Sequence, residues 1–139
     1  MNKKFVISSL VMAFAALMAG FVVHAVLLQG DYLRLPTIFR PESEAQGYFG
    51  FMLFAHLLIG IGLTWIYRMG HQADKGVIAQ GLRFGAAIAV VSTIPKYLIY
   101  FAVQRLPSDL VAQQIVFDTI CMLLLGMLVA WLNKTPAQS

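Results

Sequence analysis

A chain of 139 residues that is 60% hydrophobic and only 12% charged, with a mean hydropathy of +0.78, lacks the solvated surface of a water-soluble domain, which carries about 25% charged residues. The single cysteine, Cys121, excludes an internal disulfide and a cysteine-based zinc site. The net charge of +4 is spread over basic residues too few and too scattered to form a nucleic-acid patch, so lipid is the expected surroundings of most of the chain.

After a short basic head, MNKK, the run from Phe5 to Leu28 holds 24 residues with His24 as its one ionisable member. That exceeds the ~20 residues a helix needs to cross a bilayer. Val23-His24-Ala25 has the form of a signal-peptide cleavage site, but a signal's apolar region spans only about 7–15 residues. A retained membrane helix over 5–28 is expected. Gln29 to Gln46 is a long polar interruption broken by Gly30, Pro36 and Pro41. Pro41-Glu42-Ser43-Glu44 has the composition of a helix start, with proline in the first turn and carboxylates at the positive dipole end. The second helix is therefore expected over 41–67, with Tyr32, Tyr48 and Phe49 at interfacial positions.

Arg68 to Gln80 is a second polar loop, and its His71 reads as a solvated loop histidine. A third helix is expected over 78–103, kinked at Pro95, which removes a backbone donor and leaves the Val91 carbonyl unpaired. Ser92 or Thr93 can re-satisfy backbone groups freed at such a break. Gln104 to Asp109 is a tight turn, in which Ser108 or Asp109 can cap a fourth helix expected over 110–132.

The fold class is thus all-α: one integral-membrane four-helix bundle across residues 1–139, built of two helical hairpins. Lys3, Lys4, Arg68, Lys75, Arg83 and Lys134 fall on one side, while Arg34, Arg40 and Arg105 fall on the other. Cytoplasmic loops carry the lysine and arginine excess, so both termini are expected in the cytoplasm and the chain in a plasma or inner membrane. A weak internal repeat fits two parallel hairpins. Leu57-Leu58-Ile59-Gly60 with Trp65 and Arg68 matches Leu123-Leu124-Leu125-Gly126 with Trp131 and Lys134 at a constant offset of 66. Gly81-x-x-x-Gly85 suits close helix packing, too common a motif to imply a dimer.

Four ionisable residues lie within the expected spans: His24, His56, Lys96 and Asp118. A lysine at the bilayer centre costs roughly 2.5–3.5 kcal/mol on insertion scales, and Asp118 is the best candidate to offset it. Counted from the outer helix ends, Lys96 and Asp118 both lie roughly 10–12 Å inside. Adjacent helices at similar depth make a direct ion pair feasible. At α-helical spacing Gly85, Ala89, Ser92, Lys96 and Tyr100 share one face, as do Gln114, Asp118 and Cys121. The candidate polar cluster is therefore His24, His56, Ser92, Tyr100 and Gln114 around the Lys96–Asp118 pair. That pair reads either as a ligand- or proton-handling site or as a structural ion pair fixing helix register; a third reading has Lys96 snorkelling to the outer headgroups.

No nucleophile elbow, phosphate loop or metal motif appears, so no catalytic residue, cofactor or metal is implied. The long outer loop GDYLRLPTIFRPESEA, the GLRFG opening of the third helix and the IVFDT segment around Asp118 resemble the small four-helix inner-membrane proteins widespread in bacteria. That resemblance implies a domain of unknown function with no catalytic residues to carry over. The leading expectation is a membrane protein that binds or moves a small solute or a proton through its polar outer half. The alternatives are an accessory subunit with a membrane-protein partner, or a homo-oligomer, whose Lys–Asp pair serves assembly, and a membrane enzyme acting on lipid or quinone.

Overall fold

The computed structural model describes residues 2–72 and 74–134, all of whose regular structure is helical. Four helices are long and apolar enough to cross a membrane: α1 (Lys3–Leu27), α3 (Glu42–Met69), α4 (Val77–Val103) and α5 (Ser108–Leu132). They lie close to the 5–28, 41–67, 78–103 and 110–132 expected from sequence. A five-residue helix, α2 (Gln29–Leu33), interrupts the first loop. The helix starts obey local chemistry. The Asn2 side chain accepts from the Lys4 amide at 3.0 Å, and Pro41 and Pro107, both extended, immediately precede α3 and α5. Each long helix leaves large apolar side chains uncovered, among them Phe14, Phe51, Val91 and Leu124. Water would penalise such a surface and lipid accepts it.

The helices pack most closely as α1 with α3 and α4 with α5, and α1 also meets α5 to join the two pairs. Both close pairs depend on missing side chains. A Cβ at Gly60 would clash with the Ser9 carbonyl and the Ala13 backbone, and one at Gly126 would clash with the Gly81 carbonyl and lie 2.9 Å from the Gly85 Cα. Gly81 and Gly85 therefore spend their packing inside the chain, against Gly126, Met127 and Met122.

Two apolar cores stack along the bundle. One gathers Met12, Leu63, Tyr67 and Val129. The other gathers Val23, Leu28, Tyr97, Leu106 and Leu110, and the first loop folds back over it with Tyr32, Leu35, Ile38 and Phe39. Both ends of the described chain meet at the first core's end. There Lys4 Nζ donates to the Lys134 carbonyl at 2.9 Å, and Asn133 Nδ2 donates to Ser8 Oγ at 2.9 Å. The loop after α3 lies at this end too, as Arg68 stacks over Phe5. Gln80 clamps that loop, donating to the Gln72 and Lys75 carbonyls and accepting from the Gln72 amide. His71 packs beside Tyr67, whose hydroxyl is 3.3 Å from its Nδ1.

Two of the helices contain a π-helical turn: Phe21–Leu27 in α1 and Ala89–Thr93 in α4. The second is explained by Pro95. With no proline N–H to continue the ladder, the Ile94 N–H reaches back five residues to the Ala89 carbonyl. That turn holds one extra residue, so the inward face advances by one position. The buried line along α4 is Gly81, Gly85, Ala89, Thr93 and Tyr97, stepping by four. The uniform α-helical face expected from sequence, through Ser92, Lys96 and Tyr100, is corrected accordingly: those three side chains are exposed.

Candidate functional site

Asp118 sits on α5, only 9% exposed. One of its oxygens accepts a hydrogen bond from the Tyr97 hydroxyl of α4. The other lies 3.4 Å from Nε2 of His24, on the π turn of α1. The opposite ring nitrogen of His24, Nδ1, is 2.6 Å from the hydroxyl of Tyr32 in α2. Tyr32 in turn accepts from Gln114 Nε2 at 3.1 Å, and Gln114 lies one helical turn before Asp118. The result is a circuit of polar contacts running from Asp118 of α5 through His24 of α1 and Tyr32 of α2 back to Gln114 of α5, with Tyr97 of α4 joined to it as a branch at Asp118. Hydrogen bonds to a charged group contribute about 1.5–3 kcal/mol each, so the contacts to Asp118 stabilise this end of the bundle as well as defining the site.

The direct Lys96–Asp118 ion pair expected from sequence is not formed. Among the described residues no carboxylate lies within 4 Å of the Lys96 ammonium. The ammonium instead rests 4.2 Å from the centre of the Tyr97 ring, a cation–π contact. The physical reason is the π turn, which aims Tyr97 rather than Lys96 at the carboxylate. Burial pushes the Tyr32 phenol above its ordinary range, and the hydrogen bond from Gln114 works in the opposite direction.

These side chains border a cavity of about 510 Å³, within the ~300–1,000 Å³ range of small-molecule sites. His24, Tyr32, Lys96, Tyr97, Tyr100, Gln104 and Gln114 supply its polar wall, and Ile38, Phe39 and Leu106 its apolar wall. Gln114 is 4% exposed, and its Oε1 is buried without a hydrogen-bond partner.

Of the residues singled out from sequence, His24, Lys96, Tyr100 and Gln114 come together around this cavity, and Asp118 backs it. His56 does not join them. Its Nδ1 donates to the Met52 carbonyl at 2.7 Å, and its Nε2 faces Gly20 of α1, where a Cβ would be 3.4 Å away. Ser92 also stands apart, its hydroxyl donating to the Ile88 carbonyl at 2.7 Å within its own helix. Uniform α-helical spacing does not single out Tyr97, although the run of small inward residues at spacing four ahead of Pro95 marks the shifted face. From sequence Tyr32 reads only as an interfacial aromatic, and Gln104 only as a turn residue. Among the described residues no three His, Cys, Asp or Glu side chains converge as a metal site. Comparison of the chain with protein-family models, with curated proteins and with solved structures finds no match in any of the three.

Proposed function

We propose that the chain is a multi-pass inner-membrane protein, with both termini cytoplasmic, that binds a small solute in the cavity of its outer half. The observation that carries this reading is the roughly 510 Å³ cavity whose polar wall draws on α1, α2, α4 and α5 together. A polar cluster serving assembly alone needs no such volume beside it. The circuit Tyr32–His24–Asp118–Tyr97 gives the same site a continuous path along which a proton can pass as the solute enters or leaves. His24 is its centre, since each ring nitrogen has a different partner and the imidazole can release one proton while taking another.

A cavity for a water-borne solute must be reached by water. In a Cys121→Ser background, Tyr100→Cys and Gln114→Cys are expected to react with a charged, water-soluble thiol reagent. Leu98→Cys, at a residue 52% exposed on the same helix but outside the cavity wall, is expected to stay silent. Silence at both cavity positions would mean a dry cluster and would return the circuit to the accessory, assembly-only role.

A further inference from the structure

We infer that the solute is a small organic anion, a single carboxylate on an apolar or aromatic body, with Lys96 as its counter-ion; this rests on the solute cavity proposed above. The unfilled contacts of the Lys96 ammonium are the first ground. The cavity wall and its backing contain one carboxylate, Asp118, and both of its oxygens are already engaged, one by the Tyr97 hydroxyl and the other by His24. The ammonium of Lys96 makes no such short contact and feels the Asp118 carboxylate only at longer range. Among the described residues it rests on the face of Tyr97, and no carboxylate lies within 4 Å. A cation held within an apolar span and facing a cavity attracts whatever anion can enter it.

Shape and polarity narrow the class further. Tyr100 and Gln104 add hydrogen-bonding groups on the Lys96 side of the cavity, while Phe39 and Leu106 form an apolar wall. A ligand that satisfies both needs a charged end and an apolar body. A bare inorganic ion leaves the apolar wall wet, and a neutral body leaves the ammonium unpaired. An acidic lipid head group offers the same charge on an apolar body, so the two sources have to be separated by experiment.

Full-length protein in a neutral detergent is titrated with benzoate and with its uncharged counterpart benzamide, following the melting temperature and the heat of binding. Benzoate is expected to bind at least tenfold more tightly than benzamide. Lys96→Met is expected to bring the two within twofold, and Lys96→Arg to keep the preference for benzoate. Phosphatidylglycerol against phosphatidylcholine in mixed micelles forms the lipid arm. Competition with benzoate by phosphatidylglycerol alone, lost in Lys96→Met, supports the same anion site with a lipid head group as the source. Absence of competition supports a free organic acid. Equal binding of benzoate and benzamide, or a benzoate preference that survives Lys96→Met, overturns the inference. In that event a Gln114→Cys that still reacts with the water-soluble reagent shows that the solute cavity stands without an anion.

Discussion

Asp118, Tyr97 and Lys96 divide their roles in a way that single substitutions separate. Removing the carboxylate in Asp118→Ala leaves the Tyr97 hydroxyl and His24 without their acceptor, and a buried polar group left unpaired costs about 1–3 kcal/mol. Tyr97→Phe removes one charge-assisted hydrogen bond and is expected to cost about 1.5–3 kcal/mol. Lys96→Met behaves differently. It gives up a cation–π contact of about 0.5–2 kcal/mol but also removes an intramembrane ammonium that costs roughly 2.5–3.5 kcal/mol. Its stability is therefore expected to equal or exceed that of the wild type. Thermal denaturation of the purified variants in detergent ranks the three. Equal losses for Lys96→Met and Asp118→Ala would restore a direct ion pair between the two residues.

At the level of helices, the glycines divide into those that other backbones touch and those that face open space. Gly126 and Gly60 are crossing points where a methyl group would press on a neighbouring main chain, and Gly62 has nothing within 4 Å of a built Cβ. Main chain cannot rotate away as a side chain can, so Gly126→Ala and Gly60→Ala must push a helix pair apart. Overpacking of this kind costs about 1–3 kcal/mol. Gly62→Ala is expected to be neutral or to stabilise, since alanine is favoured over glycine in a helix by about 1 kcal/mol. Melting temperatures of the three alanine variants test the difference, and a Gly126→Ala protein as stable as Gly62→Ala would refute the close approach of α4 and α5. The equivalence of Gly60 and Gly126, predicted by the 66-residue repeat, thus has a physical counterpart: each is the contact point of its own helix pair. The neighbouring Trp65 and Trp131 are both exposed, at 61% and 57%.

For the whole molecule, the described ends of the chain and the loop after α3 share one end of the bundle, and the cavity lies toward the other. The orientation proposed above, drawn from the basic bias, puts the first end in the cytoplasm. In intact cells carrying the Cys121→Ser protein, a membrane-impermeant thiol reagent is expected to label Gln104→Cys directly. Gln72→Cys should be labelled only after the membrane is permeabilised. The reverse pattern would invert the proposed orientation and turn the cavity toward the cytoplasm.

The sequence by itself determined the properties that depend on neighbours along the chain. Four apolar runs long enough to span a bilayer, and polar breaks at Pro41 and Pro107, come from side-chain hydropathy and from backbone chemistry acting over a few residues. Sequence also singled out Asp118, His24 and Gln114 as polar residues in apolar surroundings, without showing that they meet. Tertiary structure alone decided which groups they meet. A 3.6-residue period carried through α4 aims Lys96 inward, whereas the π turn at Ala89–Thr93 adds one residue and aims Tyr97 there instead. Tyr32 reaches the site because its polar loop folds back over the bundle, a long-range event that no local pattern encodes. His56 bonds within its own helix and faces Gly20, because rotation about a helix axis is set by packing against neighbours rather than by depth in the span.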